Sequence, residues 1–162
     1  EAGFRMAIRE IRTEGDPVLR MKCKPVKAIT ENVRTLVQDM FDTMYEANGV
    51  GLAAPQVGIV KRIVVIDDCN GSVFTLINPE LTVIGKEQQL SNEGCLSLPG
   101  YGGRVLRPAK VKVKALDADG KEQTIKAEGM LAVILCHEID HLDGILYKDK
   151  AETYFSNEPE EE

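Results

Sequence analysis

Residues 136–144 read Cys136-His137-Glu138-Ile139-Asp140-His141-Leu142-Asp143-Gly144, and they contain both histidines of the chain. A helix advances about 100° per residue. His137 and His141 therefore share one face, one turn apart, where two imidazoles can hold a single metal ion. Glu138 stands beside that pair and out of line with it. It is placed to handle the proton of a water on the ion rather than to bind the ion. Just upstream, Met130, Leu131, Val133, Ile134 and Leu135 cover almost the whole circumference of the same helix. The pattern predicts a helix from near Glu128 to Gly144, followed by a short extended piece over residues 145–147. A helix that is apolar all round is buried, so this one is expected to run through the middle of the domain, with its metal face toward a cleft.

Strand patterns surround it. Residues 110–116 alternate polar and apolar, Asp119-Gly120 turns the chain, and residues 123–127 return it as a hairpin. The lysines of 110–116 read as a solvated face. Residues 62–67 form a buried-type strand, 72–78 a second one closed by Pro79, and 81–84 a third short one. Residues 102–107 are expected to be extended, and the polar run after Gly85 carries no element. No helix-length crossover separates the strands, so the sheets are antiparallel. Further upstream, Thr30 is an N-cap. Val33, Leu36, Val37, Met40, Phe41 and Met44 then recur at helical spacing over 31–47 until Asn48-Gly49 stops them. Residues 8–29 suggest an extended piece and a short helical turn after Pro17. The fold class is thus α+β: antiparallel β-sheets around a central buried metal-binding helix, plus an N-terminal amphipathic helix.

A chain of 162 residues suits one domain. Residues 6–150 are assigned to a single catalytic domain with Met6 as the native start, and residues 1–5 are set aside as a processed leader or remnant. Residues 151–162 are read as a disordered acidic tail, since Glu158, Glu160, Glu161 and Glu162 supply four of the six net negative charges. The body is then only mildly acidic, which excludes a basic surface for nucleic acid or anionic lipid. No apolar run has the length of a membrane span, and the N-terminus has no signal-peptide core. Four cysteines without a secretory signal are expected to be reduced thiols, which places the protein in the cytoplasm.

Two stretches are unusual. Residues 49–58 (Gly-Val-Gly-Leu-Ala-Ala-Pro-Gln-Val-Gly) are too small and too turn-prone for an ordinary helix or strand, and suit a close backbone approach or a tight packing turn. Their spacing does not fit a phosphate loop. Gln56 is the only side chain there able to donate hydrogen bonds in a reaction. Residues 93–100 set Cys95 between Gly94 and Leu96, ahead of a Pro-Gly turn. The two histidines need a third protein ligand. With no third histidine, the candidates are Glu152 or the acidic tail, or the thiolate of Cys95. Cys136 lies about 100° around the helix from His137 and reads as a core thiol.

Three motifs now stand in order: Gly49-Val50-Gly51-Leu52-Ala53-Ala54-Pro55-Gln56, Glu93-Gly94-Cys95-Leu96-Ser97, and His137-Glu138-Ile139-Asp140-His141. Together they resemble the peptide deformylase family over nearly the whole chain from Ile8 to about Lys150. The resemblance implies a hydrolase that removes the N-formyl group from the N-terminal formylmethionine of new polypeptides and releases formate. It implies that Cys95, His137 and His141 hold one divalent metal, Fe²⁺ in the cell and Zn²⁺ in isolated protein. Glu138 would be the proton carrier, with Gln56 and the backbone N–H of Leu96 stabilising the oxyanion. Gly51 and Gly94 would lie along the substrate backbone, and Val50, Met130, Val133 and Ile134 would form a methionine pocket. The implied partner is a nascent polypeptide N-terminus, with a transient ribosome contact, on a monomer that binds neither membrane nor nucleic acid. The chain departs from the family pattern in two places. Cys136 stands where many members have glutamine, and the acidic tail stands in place of the C-terminal helix of some members, so ribosome docking through such a helix is not implied. Two other readings share the same helix: a zincin-like endopeptidase, and a metal protein with a closed site and no turnover.

Overall fold

The computed structural model describes residues 7–157. Helix α1 (Glu31–Glu46) begins at Thr30, whose hydroxyl accepts the Val33 N–H at 3.3 Å. It ends where Gly49 N–H reaches back to the Met44 carbonyl, with Asn48 in the left-handed region at φ 58°. Its buried stripe of Val33, Leu36, Val37, Met40 and Met44 packs against β1 (Gly51–Ala53) and β2 (Ile63–Asp67). Strands β3 (Val73–Val83), β4 (Gln88–Glu93), β5 (Tyr101–Pro108), β6 (Lys110–Leu116), β7 (Glu122–Glu128) and β8 (Ala151–Ser156) follow. Helix α2 (Gly129–His141) stands between β7 and β8 in the chain.

Two antiparallel sheets form, one in the order β1-β2-β3-β6-β7 and one in the order β4-β5-β8. Helix α2 touches strands of both. Ala132, Leu135, Cys136 and Ile139 join Val64, Ile66, Leu76, Val111 and Val113 in one core beneath the larger sheet. The apolar girdle of α2 is incomplete, however: Met130, in the first turn, is 71% exposed.

The structure corrects the sequence reading in five places. Strand β3 runs unbroken through Pro79, where a stop and a new strand were expected. Its register shifts between Ile77 and Glu80, so Pro79 lies in a bulge where its missing N–H leaves no gap in the ladder. Asn78 turns there with φ 53°, and its amide bonds both the N–H and the carbonyl of Val26. The polar run before Glu93 is strand β4, and residues 51–53, read as too turn-prone for a strand, are β1. Residues 145–147, expected to be extended, lead into a 3-10 turn, Tyr147–Asp149. The tail does not begin at residue 151. Residues 151–156 pair with β5, and only 158–162 of the expected tail, like the leader at 1–5 and Met6, lie outside the described residues.

Helix α2 stops just before Gly144, which has φ 74° and packs so tightly that a Cβ would lie 2.6 Å from the Arg20 carbonyl oxygen. No helix among the described residues is long and apolar enough to cross a membrane.

Candidate metal centre

The centre lies where the two sheets meet over α2. Strand β4 ends at buried Glu93, and the chain then turns through Gly94 and Cys95, with Leu98 N–H donating to the Cys95 carbonyl at 2.9 Å. This turn sets Cys95 Sγ 3.3 Å from His141 Nε2. One donor atom each from Cys95, His137 and His141 lies within 4.8 Å of the others. Ligands about 2.0–2.3 Å from one tetrahedral ion stand roughly 3.3–3.7 Å apart, so the thiolate–imidazole spacing fits a shared ion. A soft thiolate with two imidazoles suits Zn²⁺ or Fe²⁺. Among the described residues no other set of three histidine, cysteine or carboxylate side chains gathers in this way. Glu152, the rival third ligand, lies exposed on β8 and is not part of it.

The imidazole of His137 is oriented from behind. Its Nδ1–H donates to Glu93 Oε1 at 2.9 Å, which leaves Nε2 facing the cleft. Arg107, 2% exposed, donates to both oxygens of the same carboxylate at 2.7 and 2.8 Å and to Asp140 at 2.8 Å. Burial pushes the Glu93 carboxyl up, but the bonds from Arg107, His137 and Ser91 outweigh it and bring it down to about 2. Burial likewise pushes His137 down, yet Glu138, Cys95 and Glu93 carry it up to about 10. Tyr147 stacks on the same ring, with centroids 5.7 Å apart.

Glu138 approaches from the helix with Oε2 4.0 Å from His137 Nε2. Burial pushes its carboxyl up to about 7, against the pull of His137. Its Oε1 is buried without a hydrogen-bond partner, a free acceptor beside the ligand atoms. Gln56 reaches the same place from the 3-10 turn Ala54–Val57. Its Oε1 accepts the Ala53 N–H at 2.9 Å, so the amide NH₂ must face the other way. That Nε2 donates to Ser97 Oγ at 3.1 Å and lies 3.5 Å from Cys95 Sγ.

Two adjoining cavities open here. One, of about 290 Å³, is lined by Val50, Gly51, Gln56, Gly94, Cys95, Leu96, His137 and Glu138, with Asn48 and Gly49 at its edge. The other, of about 180 Å³, is lined by Met130, Val133 and Ile134, and shares Val50, Gly94, His137 and Glu138 with the first. Every residue singled out from the sequence thus borders one cavity or both, except His141, which is buried behind Cys95. Gly51 has a different neighbour from the one expected. A Cβ there would lie 2.7 Å from Glu138 Oε2, so the missing side chain makes room for the carboxylate.

Sequence reasoning did not find Arg107 or Tyr147, and it read Glu93 and Ser97 only as parts of a motif around Cys95. Glu93 and Ser97 flank that cysteine closely enough to be suspected. Nothing local marks an arginine between Leu106 and Pro108 as buried.

The match to known proteins agrees with this geometry. The family model for polypeptide deformylase matches residues 8–155. A peptide deformylase of Natranaerobius thermophilus is 54% identical over 153 residues, covering 94% of this chain and 98% of that protein. One from Acetivibrio thermocellus is 56% identical over 145 residues, covering 90% and 84%. A crystal structure of a peptide deformylase from Legionella pneumophila superposes with a TM-score of 0.86 at 47% identity, covering 90% of this chain and 87% of that one. Another, from Synechococcus elongatus in complex with actinonin, gives 0.84 at 38%, covering 94% and 88%. With its three motifs folded into one site and that site carried on a fold shared nearly end to end, the chain belongs to the polypeptide deformylase family.

Proposed function

We propose that this chain removes the formyl group from the N-terminal formylmethionine of newly made polypeptides and releases formate. Glu138, Gln56 and the Leu96 N–H act at a divalent ion held by Cys95, His137 and His141. The observation that carries the assignment is the approach of a base and a donor to one ligand group. Glu138 Oε2 lies 4.0 Å from His137 Nε2, and Gln56 Nε2 lies 3.5 Å from Cys95 Sγ.

A divalent ion bound there supplies Lewis acidity, which polarises a carbonyl and makes water a nucleophile near neutral pH. Glu138 takes the proton of the attacking water and returns it to the leaving amine. Burial disfavours its charged form, which suits a group that must both take up and give back a proton. The Gln56 amide and the Leu96 N–H donate to the formyl oxygen as it gains charge. Ala53 fixes the amide's orientation, and the Nε2 hydrogen aimed at Cys95 Sγ, the longer of its two contacts, is the one that passes to the formyl oxygen.

The topology supports an extended substrate. Strand β1 is the outer strand of one sheet and β4 of the other, and the cavities lie beside Val50 and Gly51 on one side and Gly94 on the other. Free strand edges recruit a peptide by main-chain hydrogen bonds. The methionine side chain enters the smaller cavity, where Val50, Met130, Val133 and Ile134 offer an apolar wall. In this reading α2 is the central metal-binding helix, and the amphipathic α1 packs on the opposite face of β2. Ferrous iron is the working ion and zinc its replacement in isolated protein. The enzyme is a cytoplasmic monomer that meets nascent chains in a transient ribosome contact.

The test is formate release from a short N-formyl-Met peptide by anaerobic, Fe²⁺-loaded protein, beside an N-acetyl-Met peptide and Glu138→Ala. Release from the formyl peptide alone, lost in the variant, supports the reading. No release from folded, metal-replete protein overturns it and turns attention to endopeptidase activity.

A further inference from the structure

We propose that the main chain of residues 12–14 is a positioning element of the active site, holding the two oxyanion donors at a fixed separation. The proposal rests on the roles just given to Gln56 and the Leu96 N–H.

Those donors sit on different parts of the fold. Gln56 follows β1 of the larger sheet, and Leu96 lies in the turn that joins β4 to β5 of the smaller one. Across the cleft they are linked by the Gln56 amide, which reaches Ser97 Oγ and Cys95 Sγ. Behind that link, Arg12 N–H donates to the Gln56 carbonyl at 2.7 Å and Glu14 N–H donates to the Ser97 carbonyl at 2.8 Å. One short piece of chain therefore grips the backbones of both partners of the Gln56–Ser97 bond. Both partners are fully buried, at 1% and 0% exposure, so these two carbonyls have no water to fall back on.

The piece belongs to no regular element, yet it is anchored on every side. Arg9 N–H donates to Thr43 Oγ1 and its guanidinium pairs with Asp39 on α1, both at 2.8 Å. Arg12 pairs with Asp16 at 3.0 Å, and Glu14 pairs with Lys148 of the turn that carries Tyr147. Asp16 N–H closes a turn onto the Thr13 carbonyl at 3.1 Å, and its side chain caps the following 3-10 turn through Val18 N–H. The tether thus ties α1, the Gln56 turn, the Cys95 turn and residues 147–149 together behind the site. Oxyanion donors work by being in place beforehand, and an error of about 1 Å can cost on the order of a hundredfold in rate.

One substitution breaks the bond. Glu14 is the second residue of the four-residue turn 13–16, whose third residue, Gly15, has φ 102°. That is a type II turn, which favours proline at its second position. Glu14→Pro therefore suits the dihedral angles of the turn, while it deletes the N–H that holds Ser97 and sets the ring Cδ against that carbonyl, forcing the two segments apart. We expect kcat to fall about tenfold with KM unchanged, the Co²⁺-substituted protein to keep its absorption spectrum, and Tm to drop by several degrees as the buried carbonyl loses its donor. Lys148→Ala, which removes only the ion pair, should keep kcat within about twofold. Wild-type kcat in folded Glu14→Pro overturns the proposal. So does an equal loss in Lys148→Ala, or a loss accompanied by a changed cobalt spectrum. Gln56→Ala separates the two layers. If it keeps full kcat, the oxyanion reading fails and the tether with it. If it loses rate while Glu14→Pro does not, the tether alone fails. Should Glu14→Pro not fold, Gly15→Ala replaces it. A Cβ there meets nothing within 4 Å, so it strains the turn through φ alone. A severalfold drop in kcat at constant KM would then support the tether, and an unchanged kcat would overturn it.

Discussion

His137 donates its Nδ1–H to Glu93 at 2.9 Å, and Arg107 grips the same carboxylate from the other side. The imidazole is thereby locked with Nε2 toward Cys95. A carboxylate behind a ligating histidine also makes it a better donor. Glu93→Gln keeps the shape and removes the charge. It should weaken metal binding about 10- to 100-fold, read by competition with a chromogenic chelator. Unchanged affinity would reduce Glu93 to a packing residue.

The same carboxylate sets acid stability. Its folded pKa, about 2, is below the unfolded carboxylate value. The stabilisation is complete above about pH 4.5 and is lost as pH falls toward 2, on the order of 3 kcal/mol. Urea melts of metal-free protein at several pH values should show this slope, and Glu93→Gln should flatten it across that window.

Metal uptake should release protons. The surroundings of His137 hold its pKa near 10, so the metal-free imidazole carries a proton at pH 7, which an ion taking Nε2 must displace. Adding Zn²⁺ to metal-free protein in weak buffer should therefore acidify the solution, and apparent affinity should rise with pH. A pH-independent affinity between 6 and 8 would contradict this.

Gly51→Ala should damage catalysis without emptying the site. The new Cβ would strike Glu138 Oε2, which must move, while the three ligands are untouched. We expect kcat to fall about a hundredfold with the cobalt spectrum retained. A wild-type kcat would show that Glu138 tolerates displacement.

Ending the chain after Lys150 should destabilise it. The loss of β8 strips β5 of one of its two partners and removes the Tyr101–Tyr154 stack, with centroids 5.1 Å apart. A Tm lowered by about 10 °C corresponds to roughly 3 kcal/mol in a chain of this length. An unchanged Tm would mean that β8 rests on the fold without supporting it.

What could be read directly was local. His137, Glu138 and His141 are placed by the helical repeat alone, and the α1 stripe by the same repeat, because the backbone sets the angle between neighbours whatever surrounds them. Antiparallel pairing followed from short connections. Strands β4 and β8 and the unbroken β3 were not legible, since a strand's stability comes from the partner it pairs with more than from its own residues. The partners of the site were hidden for the same reason. Glu93 and His137 meet across 44 positions and Gln56 and Ser97 across 41. Arg107 looks like any surface arginine until the fold closes Glu93 and Asp140 around it. Spacing along one helix decides which groups share a face, but only the docking of two sheets over that helix decides which buried charge finds its counterpart.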